Sequence, residues 1–208
     1  MKGLLLKDWY QVRTSMKAMY LTVAFVLVIW VFSTSSAYVF PVSYAAVFLG
    51  ILPVNLLAYD QSVGWVEYGQ TLPVSKKTLV AEKYLIGLFC AAAAVGLSGV
   101  SCGVIVLLGK PLPDAPVSIW MEFGVLAILL MNGIMLPLYY RFGPEKARML
   151  YMLMFAGMGA MLGGGIALMD AFSGASAAVL VSGLLAAALV LYAVSWRVSV
   201  AWYGKYKK

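Results

Sequence analysis

Residues able to carry out chemistry are few in this chain, and their spacing excludes the common enzymatic arrangements. The sequence contains no histidine, which removes the usual general base and the commonest metal ligand. Two Gly-Lys pairs, at 109–110 and 204–205, lack the earlier glycine and the following hydroxyl of a phosphate-binding loop. We therefore expect no catalytic residue, no metal and no cofactor in this chain, and no ATP hydrolysis by this chain alone.

The largest internal polar segment is 59–84, YDQSVGWVEYGQTLPVSKKTLVAEKY, which lies between two long apolar segments. Asp60 or Ser62 can cap a short helix there, and Pro73 ends it. One face of that helix collects residues at the spacing of three, four and seven: Trp65, Tyr68 or Gly69, and Leu72. Ser75 can cap a second helix, whose lysines lead into the next apolar run. The segment is thus predicted to form a helix, a turn and the start of a second helix.

The aromatic stripe on the first of these helices has two interpretations. Trp and Tyr are favoured in the headgroup layer of a membrane, so the helix can be an amphipathic segment lying in that layer. Small protein interfaces also depend on buried aromatic anchors, so the stripe can dock a soluble partner. Composition does not choose between these two interpretations.

Composition identifies the chain as a membrane protein. Hydrophobic residues make up 63% and charged residues 11% of its 208 residues, far from the composition of an ordinary soluble domain. Each of six apolar segments has about the 20 residues needed to cross a hydrocarbon layer of roughly 30 Å. These segments are 18–38, 42–59, 84–108, 117–140, 150–169 and 175–194. The predicted fold is all-α: a polytopic single transmembrane domain over residues 1–208, with six transmembrane helices.

The basic residues orient these segments in the membrane. An even number of spans places both chain ends on one side, and 14 of the 15 Lys and Arg residues fall on that side, with Lys110 on the other. By the positive-inside rule, both termini are cytoplasmic, as are the loop at 60–83 and a second loop at 141–148. The net charge of +7 therefore orients the chain and gives no reason to expect nucleic acid as a partner.

Residues 2–17 are predicted to form an amphipathic helix at the membrane interface. Its apolar face consists of Leu5, Trp9, Val12 and Met16. Its polar face consists of Lys7, Gln11, Thr14 and Ser15. The alternative is a basic flank that merely precedes the first span.

Polar and small residues inside the spans are candidates for a substrate path and for helix contacts. Asn55 and Asn132 lie within spans, where Asn most often forms hydrogen bonds between helices but can also line a path. Glu122, near the outer boundary, is a third candidate for the path. Small residues four positions apart in the fifth span predict a close helix contact, within the subunit or across a dimer: Gly159, Gly163 and Ala167. The span centres carry no charged side chain, which argues against a proton- or sodium-driven carrier.

The polar segment resembles a block found in a known family. That block reads W, acid, Y, two residues, T/S-L-P-V-S and a basic pair, and this chain matches it with Trp65, Glu67, Tyr68, Thr71, Leu72, Pro73, Val74, Ser75, Lys76, Lys77 and Lys83. The family comprises the small six-span permeases of type 2 ATP-binding-cassette exporters, including bacterial permeases for amphipathic peptides such as phenol-soluble modulins. The string FGPEKAR at 142–148 resembles the second cytoplasmic connection of the same family.

The resemblance implies a partner and a set of contact residues. It implies that the 60–83 loop forms a coupling helix in a groove of a separate cytoplasmic ATPase subunit, which binds ATP and Mg²⁺. It also implies a second permease copy or paralogue and a place in the bacterial plasma membrane. The expected coupling interface comprises Asp60, Trp65, Glu67, Tyr68, Thr71, Leu72, Pro73, Arg141, Glu145 and Lys146.

The expected function is ATP-driven export of amphipathic peptides or other apolar cargo. The methionines of the fourth and fifth spans would give such cargo a soft, adaptable wall, unless they pack or face lipid. They are Met121, Met131, Met135, Met149, Met152, Met154, Met158 and Met161. The alternative function is a non-transporting membrane anchor or immunity protein that uses the same loop to recruit a soluble partner.

Overall fold

The computed structural model describes residues 2–15, 17, 21, 24–25, 39–109, 117–171 and 175–203, which are helical apart from turns and the connection 72–75. The helices are α1 Lys2–Ser15, α2 Val39–Ser62, α3 Trp65–Thr71, α4 Lys76–Leu107, α5 Val117–Ala171 and α6 Ala175–Trp202. A helix satisfies its own backbone hydrogen bonds, which is what a lipid environment demands of apolar segments. The all-α fold class is confirmed for this part of the chain.

The short helix α3 lies across the end of α2. The helices Val47–Ser62 and Trp65–Thr71 meet at 78°, and the chain turns between them at Gly64, whose φ of 71° is in the left-handed region. Gly64 is also the N-cap of α3, and no side chain caps it. The prediction that Asp60 or Ser62 caps this helix was therefore wrong, because α2 continues through both residues and glycine alone makes the turn without a steric penalty.

The start of α4 follows its sequence signal. Ser75 is the N-cap, and its hydroxyl accepts a hydrogen bond from the Thr78 amide. This confirms the predicted cap, which satisfies one of the amides left free at a helix start. Helix α3 ends at Thr71, two residues before Pro73, as expected for a chain approaching a proline.

Helix α5 is two helices joined at one residue. Gly143 has φ 75° and ψ −179° inside an otherwise helical range, a combination that is essentially restricted to glycine. The predicted second loop, 141–148, is thus helical except at this break, and the helix resumes at Pro144. Proline suits that first position because its amide would be unpaired there anyway.

Three helices in the described residues are long and apolar enough to cross a membrane, namely Lys76–Leu107, Met121–Gly143 and Val179–Trp202. The bent pair of α2 and α3 would make a fourth if it counts as one broken span. The predicted fifth span, 150–169, lies in the helical backbone of α5. The predicted first span, 18–38, lies outside the described residues except at positions 21, 24 and 25.

The bundle is built around the first part of α5. Helix α5 packs against α2, α4 and α6, and α1 packs against α2 and α4. The larger core cluster takes side chains from α1, α2, α4, α5 and α6, and its members on α5 are Leu126, Leu129, Met135, Leu136, Tyr139 and Tyr140. These five helices are therefore held in one packed unit.

A tyrosine junction joins α4, α5 and α6 inside this unit. The Ser195 hydroxyl donates to the Gly133 carbonyl, so its single proton is used and the Tyr84 hydroxyl, 2.7 Å away, donates to Ser195. Ser199 then donates to Tyr84, also over 2.7 Å. In return, the Tyr192 hydroxyl donates to the Tyr84 carbonyl over 2.8 Å.

The junction predicts a steric requirement at Gly87. A methyl group at this position would collide with the Tyr192 hydroxyl, which its hydrogen bond to Tyr84 holds in place. We expect Gly87→Ala to lower the free energy of unfolding by about 1–3 kcal/mol, the usual cost of overpacking a tight core. Thermal unfolding of the purified protein in mild detergent measures this.

Two further variants separate the collision from a general effect of alanine. Gly96→Ala, on the same helix with nothing within 4 Å of its added carbon, should leave stability unchanged. Tyr192→Phe removes the colliding oxygen, so Gly87→Ala should cost less in that background. An equal cost in both backgrounds contradicts the steric explanation.

Candidate functional site

Helix α3 has one face turned toward the protein and one turned away from it. Trp65 and Leu72 are half-buried and Gly69 is buried, so the inward stripe runs through these three residues. A carbon at Gly69 would lie 3.8 Å from Leu79, which places α3 directly on the first turn of α4. The sequence left Tyr68 or Gly69 open for this stripe, and the structure selects Gly69.

The outward face of α3 carries the polar residues and one aromatic ring. The Tyr68 side chain is 56% exposed, although its ring lies 5.3 Å from that of Trp65. The other exposed residues of this face, of the following connection and of the start of α4 are Glu67, Gln70, Thr71, Pro73, Ser75, Lys76 and Lys77. Glu67 lies in the first helical turn, where a carboxylate is favoured by the helix dipole.

Behind α3 lies a buried cluster of charged side chains. Lys83 on α4 is 2% exposed, and its Nζ lies 2.6 Å from Asp8 Oδ2 and 2.7 Å from Asp60 Oδ2. Lys7 Nζ closes the cluster from the other side, 2.7 Å from Asp60 Oδ1 and 2.9 Å from Asp8 Oδ1. The buried Glu82 carboxyl lies 3.8 Å from Lys83 Nζ. We call these five residues the ionic cluster.

The ionic cluster pairs opposite charges from three helices: Lys7 and Asp8 belong to α1, Asp60 to α2, and Glu82 and Lys83 to α4. Burying a charge costs several kcal/mol unless a partner offsets it, and each lysine here has two aspartate partners. Asp8 and Asp60 balance the two ammonium groups, and a protonated Glu82 carboxyl donates a hydrogen bond to Asp8 without adding charge. Loss of the Glu82 acid group therefore disturbs the charge balance less than loss of a lysine.

Asp8 shows the electrostatic balance of the cluster. Burial raises the pKa of Asp8, but the positive charge of Lys83 and side-chain hydrogen bonds with Glu82, Lys83 and Lys7 hold it below its ordinary value of 3.8. A lowered pKa means that the ionised carboxylate stabilises the fold. This contribution is complete above the ordinary pKa and is lost as the pH falls through the lowered pKa.

Lys7 connects the ionic cluster to α3. Its Nζ lies 4.6 Å from the centre of the Trp65 ring, within the range of a cation–π interaction. Trp65 also packs against the core cluster. The first residue of α3 is therefore held by a charge that α1 supplies.

The C-terminal end of α6 lies against the inward face of α3. The Tyr203 hydroxyl would lie 3.9 Å from a carbon added at Gly69, and the Tyr203 and Tyr140 rings meet edge to face at 5.7 Å. Next to Tyr140, Arg141 is exposed and its guanidinium lies 4.7 Å from the Trp202 ring centre. The two predicted cytoplasmic loops thus converge on the same end of α6, which the sequence did not indicate.

The candidate path residues differ in burial. Asn132 is 0% exposed; its Nδ2 donates to Ile128 O at 2.9 Å, within its own helix, and its Oδ1 has no partner among the described residues. Asn55 is exposed and Glu122 is half-buried. Met131 and Met135 are buried in the bundle, so these two methionines pack rather than line an opening.

Several predicted site residues lie where backbone alone is described. Glu145, Gly159, Gly163 and Ala167 are in the helical backbone of α5, and their side-chain surroundings lie outside the described part. Lys146 is exposed. The predicted small-residue contact therefore stays a prediction.

The sequence missed most of the ionic cluster because the face of α1 was assigned by hydrophobicity. The buried face consists of Leu4, Asp8, Gln11 and Val12, which are spaced by four, three and one. Trp9, assigned to the apolar face, is 63% exposed, and Gln11, assigned to the polar face, is buried. The predicted face was the one toward the membrane, and it stays a prediction; the side of α1 that meets the bundle is held by the paired charge of Asp8 as well as by Leu4 and Val12. The detectable signal was Asp8, an acid on the same helical face as Leu4 and Val12.

The arrangement presents an exposed helix surface that is suited to recognition by a partner. Among the described residues, no three carboxylate or thiol groups are arranged to hold a metal ion, and in the ionic cluster lysines fill the space between the carboxylates. An exposed helix, backed by buried charges and aromatic rings, remains as the candidate site.

Comparison with known proteins identifies the family. The family model described as ABC-2 family transporter protein matches residues 3–204, nearly the whole chain. The chain therefore belongs to the ABC-2 transporter family, and it is a multi-pass membrane permease component, which implies an ATPase partner. No curated protein and no solved structure matches the chain.

The ionic cluster predicts an asymmetry between its members. Lys83→Met leaves buried carboxylates with one lysine between them, so we expect a loss of about 3–5 kcal/mol in unfolding free energy. Glu82→Gln replaces a neutral acid by a neutral amide that can still donate a hydrogen bond, and it should cost far less. Thermal unfolding in mild detergent at pH 7 compares the two variants.

Lys77→Met is the matched control, since Lys77 is an exposed lysine on the same helix. It should leave the unfolding midpoint unchanged. If Glu82→Gln is as harmful as Lys83→Met, the charge balance described for the cluster is incorrect.

Proposed function

We propose that this chain is the membrane-spanning permease subunit of an ATP-driven exporter and that α3 is its coupling helix. The observation that carries the proposal is the placement of α3: it crosses the end of α2 at 78° and rests on α4 with its inward stripe while it exposes Tyr68. A partner that binds Tyr68 and the neighbouring polar residues would therefore push on the ends of two helices at once.

The proposed mechanism assigns different tasks to the two aromatic residues of α3. Tyr68, exposed on the outer face, would enter a groove of the ATPase subunit, where aromatic side chains make effective anchors. Trp65, half-buried against Lys7 and the core, would pass the movement inward. ATP and Mg²⁺ would bind in the ATPase subunit. Closure of two ATPase subunits on ATP would supply the movement that α3 receives.

The proposed assembly has six spans per permease and two permeases per exporter, identical or paralogous. Both termini and the 60–83 loop would be cytoplasmic by the positive-inside rule, in a bacterial plasma membrane. Arg141, Glu145 and Lys146 would form a second, smaller contact with the ATPase. The fifth-span residues Gly159, Gly163 and Ala167 would face the second permease.

The proposed cargo is an amphipathic peptide or another apolar molecule. Support comes from the apolar composition of the spans and from the adaptable methionines that are not in the core, such as Met149 and Met152, which are exposed. Release from loaded vesicles, compared between an amphipathic helical peptide and a small hydrophilic solute, tests this. A preference for the hydrophilic solute would overturn the cargo assignment.

The coupling assignment is tested by co-expression of this chain with the ATPase subunit of its exporter. We expect the two proteins to co-purify in mild detergent and the permease to change the rate of ATP turnover. Tyr68→Ala should weaken the association about thirtyfold, as loss of an interface anchor worth roughly 2 kcal/mol does. The double change of Trp65 and Tyr68 to Ala should return ATP turnover to that of the ATPase alone while the permease stays folded.

Phe89→Ala provides the control. Phe89 is 64% exposed on α4 and lies 13 residues beyond Lys76, which is about 20 Å along a helix. Its loss should change neither association nor turnover. Stable association without vectorial movement of any cargo would favour the membrane anchor or immunity protein, and unchanged transport in the Trp65/Tyr68 variant would show that α3 is not the coupling helix.

A further inference from the structure

Helix α3 cannot hold its own orientation. It has seven residues, and isolated helices of this length are unstable in water because nucleation is costly. Its N-cap, Gly64, offers no side chain to the free amides at the helix start. The direction of α3 must therefore come from contacts that its side chains make with the rest of the protein.

Lys7 makes such a contact at the first residue of α3. Its ammonium group reaches three helices at once: Asp8 on α1 at 2.9 Å, Asp60 on α2 at 2.7 Å and the Trp65 ring on α3 at 4.6 Å. An ammonium group has three protons, so it can serve two carboxylates and still face the ring. The Lys7 side chain is 23% exposed, so water weakens these interactions only in part.

Lys7 can be separated from the rest of the ionic cluster. Asp8 and Asp60 each keep a close partner in Lys83, at 2.6 and 2.7 Å. Loss of the Lys7 charge would thus leave the buried core of the cluster paired while releasing Trp65. Lys83 differs from Lys7 in two ways: it is buried, and it binds both aspartates without contributing the contact to the Trp65 ring.

We propose that Lys7 is a positioning residue for α3: through the Trp65 ring it fixes the direction of α3, and it makes α1 part of the unit that moves with α3. The assignment rests on the proposed function for its consequence in transport, but the contact itself can be tested without the ATPase. In the assembled exporter, α1 would follow the stroke that α3 receives. A permease with α3 intact but Lys7 neutral would bind the ATPase with a less well-oriented helix.

The test measures hydrogen exchange of the backbone amides at 65–72 in the purified full-length permease. Lys7→Met keeps most of the side-chain length and removes the charge, so these amides should exchange roughly fivefold faster, the size expected for loss of one cation–π contact. Lys7→Arg keeps a cation that can stack on the ring and should restore the wild-type rate within about twofold. Lys2→Met, at an exposed lysine of the same helix, should have no effect.

A double-variant cycle identifies the route of the effect. In a Trp65→Leu background, Lys7→Met should accelerate exchange at 65–72 no further, because the ring that Lys7 holds is absent. Exchange at 179–203 should be unchanged in every variant, which shows that the bundle remains folded. The proposal is overturned if the amides at 65–72 exchange at the wild-type rate in Lys7→Met. It is also overturned if Lys7→Met accelerates this exchange equally with and without the Trp65 ring.

Adding the ATPase separates this proposal from the proposed function. If the wild-type permease does not bind the ATPase, the proposed function fails, while the exchange result still decides whether Lys7 positions α3. If it does bind, ATP should change exchange at both 2–15 and 65–72 in the wild type, and Lys7→Met should abolish the change at 2–15 alone. A change at 2–15 that persists in Lys7→Met shows that α1 moves independently of this contact.

Discussion

The buried ammonium of Lys83 is the constraint on which the packing of α1, α2 and α4 at this end of the bundle depends. Removing such a charge from water costs several kcal/mol, and the cost is offset only where carboxylates are delivered at hydrogen-bonding distance. Here one carboxylate comes from α1 and one from α2. The ionic cluster can therefore form only when the three helices are assembled, which ties an N-terminal helix to the bundle. Without that requirement, α1 would have few contacts to hold it there.

Lys83 and its neighbour Tyr84 bind to different helices of the bundle. The Lys83 side chain binds toward α1 and α2, whereas the Tyr84 hydroxyl and carbonyl bind toward α6. Successive residues of a helix point about 100° apart, so two adjacent positions can contact different neighbouring helices. A displacement of the start of α4 would therefore act on α1 and α2 through Lys83 and on α6 through Tyr84. Helix α4 is thus the element best placed to distribute a movement that begins at α3.

Local sequence predicted the local structure well. The cap at Ser75, the end of α3 before Pro73 and the start of a helix at Pro144 each depend on a few adjacent residues, and the structure agrees with each. The start of α3 was placed a few residues too early, because side chains able to cap were considered before the glycine that permits the turn. The family resemblance also located α3 correctly as the element between two long apolar helices.

The ionic cluster could not be predicted in the same way. Lys7 and Asp60 are 53 positions apart, and Lys83 and Asp8 are 75 positions apart. In the sequence, three of these residues have separate explanations: Lys7 and Lys83 as basic residues that orient the chain, and Asp60 as a helix cap or as part of the coupling interface. Their pairing depends on how three helices pack, and helix packing is not encoded in the spacing of any one segment. The tyrosine junction was missed for the same reason, since Tyr84 and Ser199 are 115 positions apart.

The break in α5 at Gly143 limits how this chain can vary in length. A loop of several residues can accommodate an insertion by changing its backbone conformation. A joint of one residue cannot, because helices begin directly on both sides of it. One residue added on either side of Gly143 would turn the helix beyond the insertion by about 100° and move it by about 1.5 Å. The half of α5 that follows the joint would then present a different face to its surroundings. The register of that half relative to the bundle is therefore set by the length of the chain at this point as much as by its composition.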